Sequence, residues 1–397
     1  MIDRAERTKS LTGSIAKVAA SPLMRILVLA LTVRLMSASV GIASTLSFPL
    51  HQPETFTVLE AHDPFWDSFA RYDSGWYYSI AHDGYRYLPG ERNNLAFFPV
   101  YPLLMRAGGR LLGGEQPHFY QAGIAISWLA FFGAMVMLYR LARLDVDEDS
   151  AHRAVLYAAV FPFALFYGRV YTESLFLLLT LIAFHSFRTG RWTVGAVTGA
   201  LAVATRPNGI LIAPAVAWIA WRAAGSDRGR QAQAIAAIAA VCAGLAAYCA
   251  YVYALSGSPL EWMASIQRWD YHPGGAPWSS LIALARQLVR RPHDFLMEPN
   301  GLYDTLNGVT AMIVGASVPF VWHRLGAAYG LYMALSLLLP LSSHEFEGLG
   351  RYSAVLFPFF IWMSLWKSAT AQQVIVIASV GAFAICTSLF VTLHPIY

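Results

Sequence analysis

Long apolar runs repeat along this chain from residue 23 almost to its last residue, and that repetition restricts the fold more than any other feature. A helix crossing the hydrocarbon layer of a bilayer needs about 20 mostly apolar residues, and backbone at that depth must find its hydrogen bonds within the protein. Runs of this kind are therefore helices. With 57% of residues hydrophobic and 13% charged, nothing between the runs reads as a soluble domain. The chain is predicted to be an all-α polytopic membrane protein.

Spans are expected at 23–46, 120–141, 152–170, 173–188, 192–205, 209–222, 232–255, 303–322, 325–341, 352–367 and 372–391, about eleven in all. Residues 1–22 form a basic terminus and 23–397 a single transmembrane unit, with 47–119 as the first outer loop and 256–302 as the fourth. Lys and Arg in short loops set sidedness. Arg4, Arg7, Lys9, Lys17 and Arg25 share a side with Arg140, Arg143, Arg153, Arg188, Arg191, Arg222, Arg228, Arg230, Arg324 and Lys367. That side is placed in the cytoplasm, with Tyr397 outside. No small-residue cleavage signal follows the first span, so it is read as a retained anchor.

The net charge of +5 follows from that loop bias, so nucleic-acid binding is not needed to explain it. Cys242, Cys249 and Cys386 all fall in apolar runs and read as packing residues. The histidines at 62, 82, 272, 293 and 344 match no zinc-ligand spacing, and no cofactor is expected beyond a weakly held divalent metal. Asp145 and Asp147 imitate an Asp-x-Asp metal motif, but they precede a helix in a short cytoplasmic loop and read as an acidic helix entry.

The polar residues left over collect on the outer side. The 14-residue runs flanking Arg206-Pro207-Asn208-Gly209 are too short to cross straight, so the chain breaks at or inside the membrane boundary. Amphipathic pieces at 75–83, 99–112 and 279–291 read as helices lying in the interface, the last carrying Arg286, Arg290 and Arg291. Those arginines fit an ordinary surface helix or one that attracts anionic lipid carriers. Arg34 lies about 18 Å along the first span by helix rise, so it must face protein or water, in an ion pair or in the site. Glu173 opens a span, where the helix dipole favours a carboxylate, or it orients a substrate hydroxyl or a basic partner. Arg206, Asn208 and Arg351 stand at span ends, where snorkelling would satisfy them unless they line a site.

The richest stretch is 66–102, WDSFARYDSGWYYSIAHDGYRYLPGERNNLAFFPVYP, which sets Asp67, Arg71, Asp73, His82 and Asp83 among aromatics. Its run from Asp73 to Tyr85 with Ala96-Phe97-Phe98-Pro99 and Tyr101-Pro102 resembles the first outer loop of the GPI mannosyltransferase II (PIG-V-type) family. Tyr171-Thr172-Glu173-Ser174-Leu175-Phe176 with Arg206-Pro207-Asn208-Gly209, and Gly350-Arg351-Tyr352 before Phe357-Pro358, supply two further markers in the same order. The resemblance covers 66–360. It implies a GT-C glycosyltransferase, a multi-span bundle that takes sugar from a polyprenyl-phosphate donor on the non-cytoplasmic face.

The family's first-loop aspartate maps to Asp73, preceded here by Tyr72 where tryptophan is common, while Trp66-Asp67 offers a second Trp-Asp upstream. An acceptor hydroxyl is a poor nucleophile, and a carboxylate within hydrogen-bond reach removes its proton during attack, typically for a rate gain of about 10² to 10⁴. Asp73 can instead cap the helix beginning near Gly75. The substrate-binding candidates are Glu173, Arg206, Asn208, Arg351, Asp67, Arg71 and Arg34, with Arg351 preferred for the donor phosphate and Arg206 next. The sequence is read as an inverting glycosyltransferase, with mannose as the sugar that the family resemblance implies, acting on a glycolipid or glycan acceptor in a bacterial plasma membrane. A transporter or flippase of lipid-linked sugars would share many spans and a polar cavity, but transporters usually carry internal repeats and midplane sites, and no repeat is seen here. A non-catalytic subunit of another transferase is the third reading.

Overall fold

The computed structural model describes residues 21–51, 64–268, 275–298, 300–342, 346 and 348–396. Arg4, Arg7, Lys9, Lys17, His62, His272, His344 and Tyr397 lie outside the described residues. Helices account for nearly all regular structure, and no strand occurs among the described residues.

We number the principal helices α1 (Pro22–Ser47), α2 (Ser74–His82), α3 (Val100–Leu111), α4 (Gln116–Ala142), α5 (Glu148–Ala159), α6 (Glu173–Arg188), α7 (Trp192–Val203) and α8 (Ile212–Ala224). They continue with α9 (Arg228–Ser256), α10 (Ser279–Arg290), α11 (Gly301–Leu325), α12 (Ala327–Leu341), α13 (Leu349–Ala354), α14 (Phe357–Met363) and α15 (Ala369–Val391). Five of these, α1, α4, α9, α11 and α15, are long and apolar enough to cross a bilayer. The 3-10 segment Pro162–Gly168 and α6 together make a sixth span bent by 95°. The predicted span 152–170 divides between α5 and that 3-10 segment, 352–367 between α13 and α14, and the remaining ones form the short helices α7, α8 and α12. The amphipathic stretches form α2, α3 and α10, close to the expected bounds.

The bend follows from its sequence. Pro162 cannot continue a helix from α5, and Gly168 gives no side chain to pack, so the chain leaves regular helix between 160 and 172. The carbonyls freed there are taken up by side-chain donors. Arg34 donates to Ala164 O (2.9 Å), Ser174 to Tyr167 O (2.6 Å), Trp128 to Gly168 O (3.2 Å), Ser74 to Val170 O (3.2 Å) and Ser127 to Tyr171 O (3.3 Å). Broken backbone at this depth is tolerated because protein supplies what water cannot.

The same bend joins the first loop to the bundle. Val170 N donates to Phe69 O (3.1 Å), and Tyr171 OH donates to Arg71 O (3.2 Å). The break at Arg206 behaves as its proline and glycine require, with α7 ending at Val203 and a 3-10 turn, Pro207–Leu211, leading into α8. A Cβ on Gly209 would lie 2.6 Å from Ala202 O, so only glycine lets the two strokes of chain approach this closely.

At the far end of α6 from Glu173, Arg188 bonds Asp145 (2.7 Å) and Tyr329 OH (2.7 Å), locking the ends of α4, α6 and α12. Asp147 caps α5, its carboxylate accepting from Ser150 N at 2.8 Å. Both aspartates of the Asp-x-Asp imitation are therefore held by structural contacts.

Candidate active site

Four of the predicted residues, widely spaced in sequence, meet in one cluster. Asp73 is delivered by the first loop, Glu173 by the first residue of α6, Arg206 by the break after α7, and Arg351 by α13. Arg351 Nη1 lies 2.8 Å from Asp73 Oδ2, and its Nε donates to Glu173 Oε1, also at 2.8 Å. Arg206 Nη1 approaches the same Glu173 oxygen at 2.9 Å. Glu173 is fully buried, whereas the Asp73 side chain keeps 23% of its exposure and faces the accessible side of the cluster. Two carboxylates and two guanidiniums cancel in formal charge, which is what allows them to be buried together.

The local backbone presents Asp73 rather than using it as a cap. Asp73 occupies the N-cap position of α2, but its side chain makes no capping bond. Tyr72 adopts φ +51°, the left-handed region, which is unusual for a bulky residue. The ring of Tyr72 packs 5.6 Å from that of Phe390, while Ser74 Oγ accepts from Arg71 N (3.1 Å) and donates to Val170 O, so the turn is held from both sides. Strain of this kind, fixed by its surroundings, accompanies functional positions.

Aromatics complete the walls. Arg351 lies over the rings of Tyr171 (4.6 Å) and Phe166 (5.1 Å), and Arg206 over Tyr352 (5.2 Å). Burial, followed by the negative charge of Asp73 and Glu173, pushes the Tyr77 phenol well above its usual range, leaving a neutral hydroxyl beside the carboxylates. Asn208 is buried in the turn after Arg206 with its Oδ1 unpartnered. One oxygen of Glu173, Oε2, likewise lacks a hydrogen-bond partner.

The remaining candidates form a second group. Asp67 pairs with Arg71 one helical turn on, and Arg71 Nε donates to Val391 O at 3.2 Å at the end of α15. Arg34 is buried beneath the ring of Phe131 at 4.3 Å. Among the described residues neither Arg34 nor Arg71 hydrogen-bonds or ion-pairs with the Asp73 cluster; the rings of Phe166, Tyr171 and Phe390 pack on one another (centroids 4.9, 5.3 and 5.8 Å apart), with Arg351 over Phe166 and Tyr171 and Arg169 over Phe390. Arg169, not singled out in the sequence, belongs to this second group. Its signal was present, a charge inside the apolar run before Tyr171. No three His, Cys, Asp or Glu side chains among the described residues converge as a metal site.

Comparison with known proteins agrees with the family resemblance. The chain is 30% identical over 149 residues to GPI alpha-1,6-mannosyltransferase 2 of Cricetulus griseus, covering 36% of this chain and 29% of that one. To GPI mannosyltransferase 2 of Drosophila pseudoobscura pseudoobscura it is 26% identical over 215 residues, covering 46% and 45%. The aligned part is thus less than half the length of these relatives. Among solved structures, the ArnT of Cupriavidus metallidurans superposes with a TM-score of 0.49 at 11% identity over 94% of this chain and 76% of that one. The apo oligosaccharyltransferase of Archaeoglobus fulgidus gives 0.48 at 12% identity, covering 93% and 56%. The family model for mannosyltransferase (PIG-V) matches residues 18–256, more than half of the sequence, and the chain belongs to that family.

Proposed function

We propose that this membrane protein is an inverting mannosyltransferase that moves mannose from a polyprenyl-phosphate donor to a hydroxyl of a glycolipid or glycan acceptor at the non-cytoplasmic face. The observation that carries the reading is the Asp73–Arg351–Glu173–Arg206 cluster, in which the most exposed member is the aspartate that the family markers single out. Asp73 accepts the acceptor's proton as that oxygen attacks the anomeric carbon. The bond from that carbon to the donor phosphate breaks on the opposite face, releasing polyprenyl phosphate and inverting the centre.

Charge explains why the arginines belong there. The cluster is neutral at rest, so a proton taken by Asp73 leaves it with one net positive charge as the leaving phosphate gains its negative one. Preorganised cations at developing charge are a large source of rate enhancement. Arg351 already serves two carboxylates and orders them, whereas among the described residues Arg206 pairs with Glu173 alone, so the donor phosphate is assigned first to Arg206. This revises the preference for Arg351. Asn208 Oδ1 and Glu173 Oε2 lack partners but are buried, so Asp73 is the carboxylate that a substrate hydroxyl meets first. The arginines supply the counter-charge, so turnover is proposed to proceed without a divalent metal. The N-terminus is assigned to the cytoplasm.

The test is transfer by purified protein from polyprenyl-phosphate mannose, comparing wild type with Asp73→Asn. Transfer by wild type and its collapse in the variant support the reading; equal transfer by both removes Asp73 as the base.

A further inference from the structure

A second concentration of charge lies behind the Phe166, Tyr171 and Phe390 layer. Arg34, Arg71 and Arg169 are at most 1% exposed. They follow one another through shared neighbours: a Cβ on Gly41 would touch both Arg169 Nη2 (3.0 Å) and Val391 Cγ1 (3.4 Å), the Val391 carbonyl accepts from Arg71 Nε, and Arg34 Nη1 lies against Gly168, the residue before Arg169. Arg169 Nη2 reaches Ser37 O and Oγ at 3.4 and 3.5 Å, one turn along α1 from Arg34. Two glycines leave room for the guanidinium planes, since a Cβ on Gly168 would meet Arg34 Nη1 at 3.0 Å and one on Gly41 would meet Arg169 Nη2 at 3.0 Å.

Structural duty accounts for only part of this arrangement. Arg34 Nη1 serves Ala164 O and Arg71 Nε serves Val391 O, but the neighbouring carbonyls of the bend are served by serine and tryptophan, which bring no charge. Of the three, Arg71 has Asp67, and no ion pair to Arg34 or Arg169 is formed among the described residues. Five nitrogens have no acceptor: Nε and Nη2 of Arg34, Nη2 of Arg71, and Nε and Nη1 of Arg169. Buried guanidiniums without a counter-anion are strongly unfavourable, and unused guanidinium N–H groups are the donors that oxyanions of the phosphate class take.

We propose that Arg34, Arg71 and Arg169 bind an oxyanion of the phosphate class, at a site separate from the Asp73 cluster. A lipid phosphate group and free phosphate present the same oxygens to these donors.

The experiment uses the full chain in a phosphorus-free maltoside detergent and reads bound phosphorus by native mass spectrometry together with thermal unfolding. One arm adds inorganic phosphate and another adds phosphatidylglycerol without phosphate. Wild type should retain one bound anion and unfold at higher temperature in at least one arm, and that arm identifies the source. Arg34→Gln and Arg169→Gln should weaken binding at least about tenfold. Arg169→Lys, which keeps the charge but loses the fork, should weaken it less, and it decides the matter if the glutamine variants do not fold. Arg286→Gln, on the exposed face of α10, should bind as wild type does. Absence of bound phosphorus and of any shift in both arms would overturn the proposal, as would unchanged retention in every folded Arg34 and Arg169 variant. Loss of the anion in Asp73→Asn would also overturn it, by assigning the anion to the transfer site.

Discussion

Arg351 holds Asp73 and Glu173 with one guanidinium, its Nη1 on the first carboxylate and its Nε on the second, each at 2.8 Å. Residues from the first loop and from the head of α6 are thereby fixed to one planar group. The consequences below follow from that shared contact and from the packing that delivers it.

Asp73→Asn should leave the protein folded while lowering turnover by at least about 10², because an amide keeps the shape but cannot accept the proton. Asp67→Asn should instead reduce thermal stability, since it frees the buried Arg71, with a smaller effect on turnover. Initial rates and unfolding temperatures of the two variants check this, and greater loss of turnover in the Asp67 variant would move the base.

Arg351→Lys should be nearly as damaging as Arg351→Ala. An ammonium cannot reach both carboxylates in the way a fork does, so the geometry of Asp73 is lost even though charge is kept. Both variants should lower kcat, whereas Arg206→Ala should chiefly raise the KM for donor. Steady-state kinetics with varied donor separate the two effects.

Gly350→Ala should destabilise the protein by about 1 to 3 kcal/mol, the usual cost of overpacking. The added Cβ would lie 2.2 Å from the Phe163 ring, and displacement of α13 would carry Arg351 with it. Thermal unfolding together with turnover of the variant tests both parts.

Asp147→Ala should cost about 1 kcal/mol as a lost helix cap. The Ser150 backbone bond, aided by the Ser150 hydroxyl, holds the Asp147 carboxyl below its ordinary value. Its stabilisation is therefore present above the ordinary carboxylate pKa and is lost as pH falls through the lowered one. The stability gap between wild type and variant should close in acid, as unfolding at neutral and acid pH would reveal. Transfer activity at neutral pH should be unchanged, since Asp147 is on the cap of α5 and not in the site.

Much of this was legible in sequence because membrane helices announce themselves by length and apolarity, and because a charge inside such a run demands a reason. Asp73, Arg206 and Arg351 were identifiable through the family markers, and Glu173 through those markers and its place at the head of an apolar run. What could not be read was which of them touch. Asp67 and Asp73 sit six residues apart in similar surroundings, and only the left-handed turn at Tyr72 and the path of α15 send one to Arg71 and the other to Arg351. Hydropathy marks apolar runs and not their straightness. Pro162 breaks the expected 152–170 span, whereas the break at Pro207, between the short runs 192–205 and 209–222, was legible in the sequence.

The central claim, that Asp73 drives transfer from a lipid-phosphate sugar, is tested most directly by presenting the purified protein with polyprenyl-phosphate mannose and with GDP-mannose, each with and without EDTA, in wild type and Asp73→Asn. Wild type should transfer from the lipid donor in both metal conditions, and the variant should lose that transfer by at least about 10². Robust transfer from GDP-mannose, or lipid-donor transfer that survives in Asp73→Asn, would contradict it.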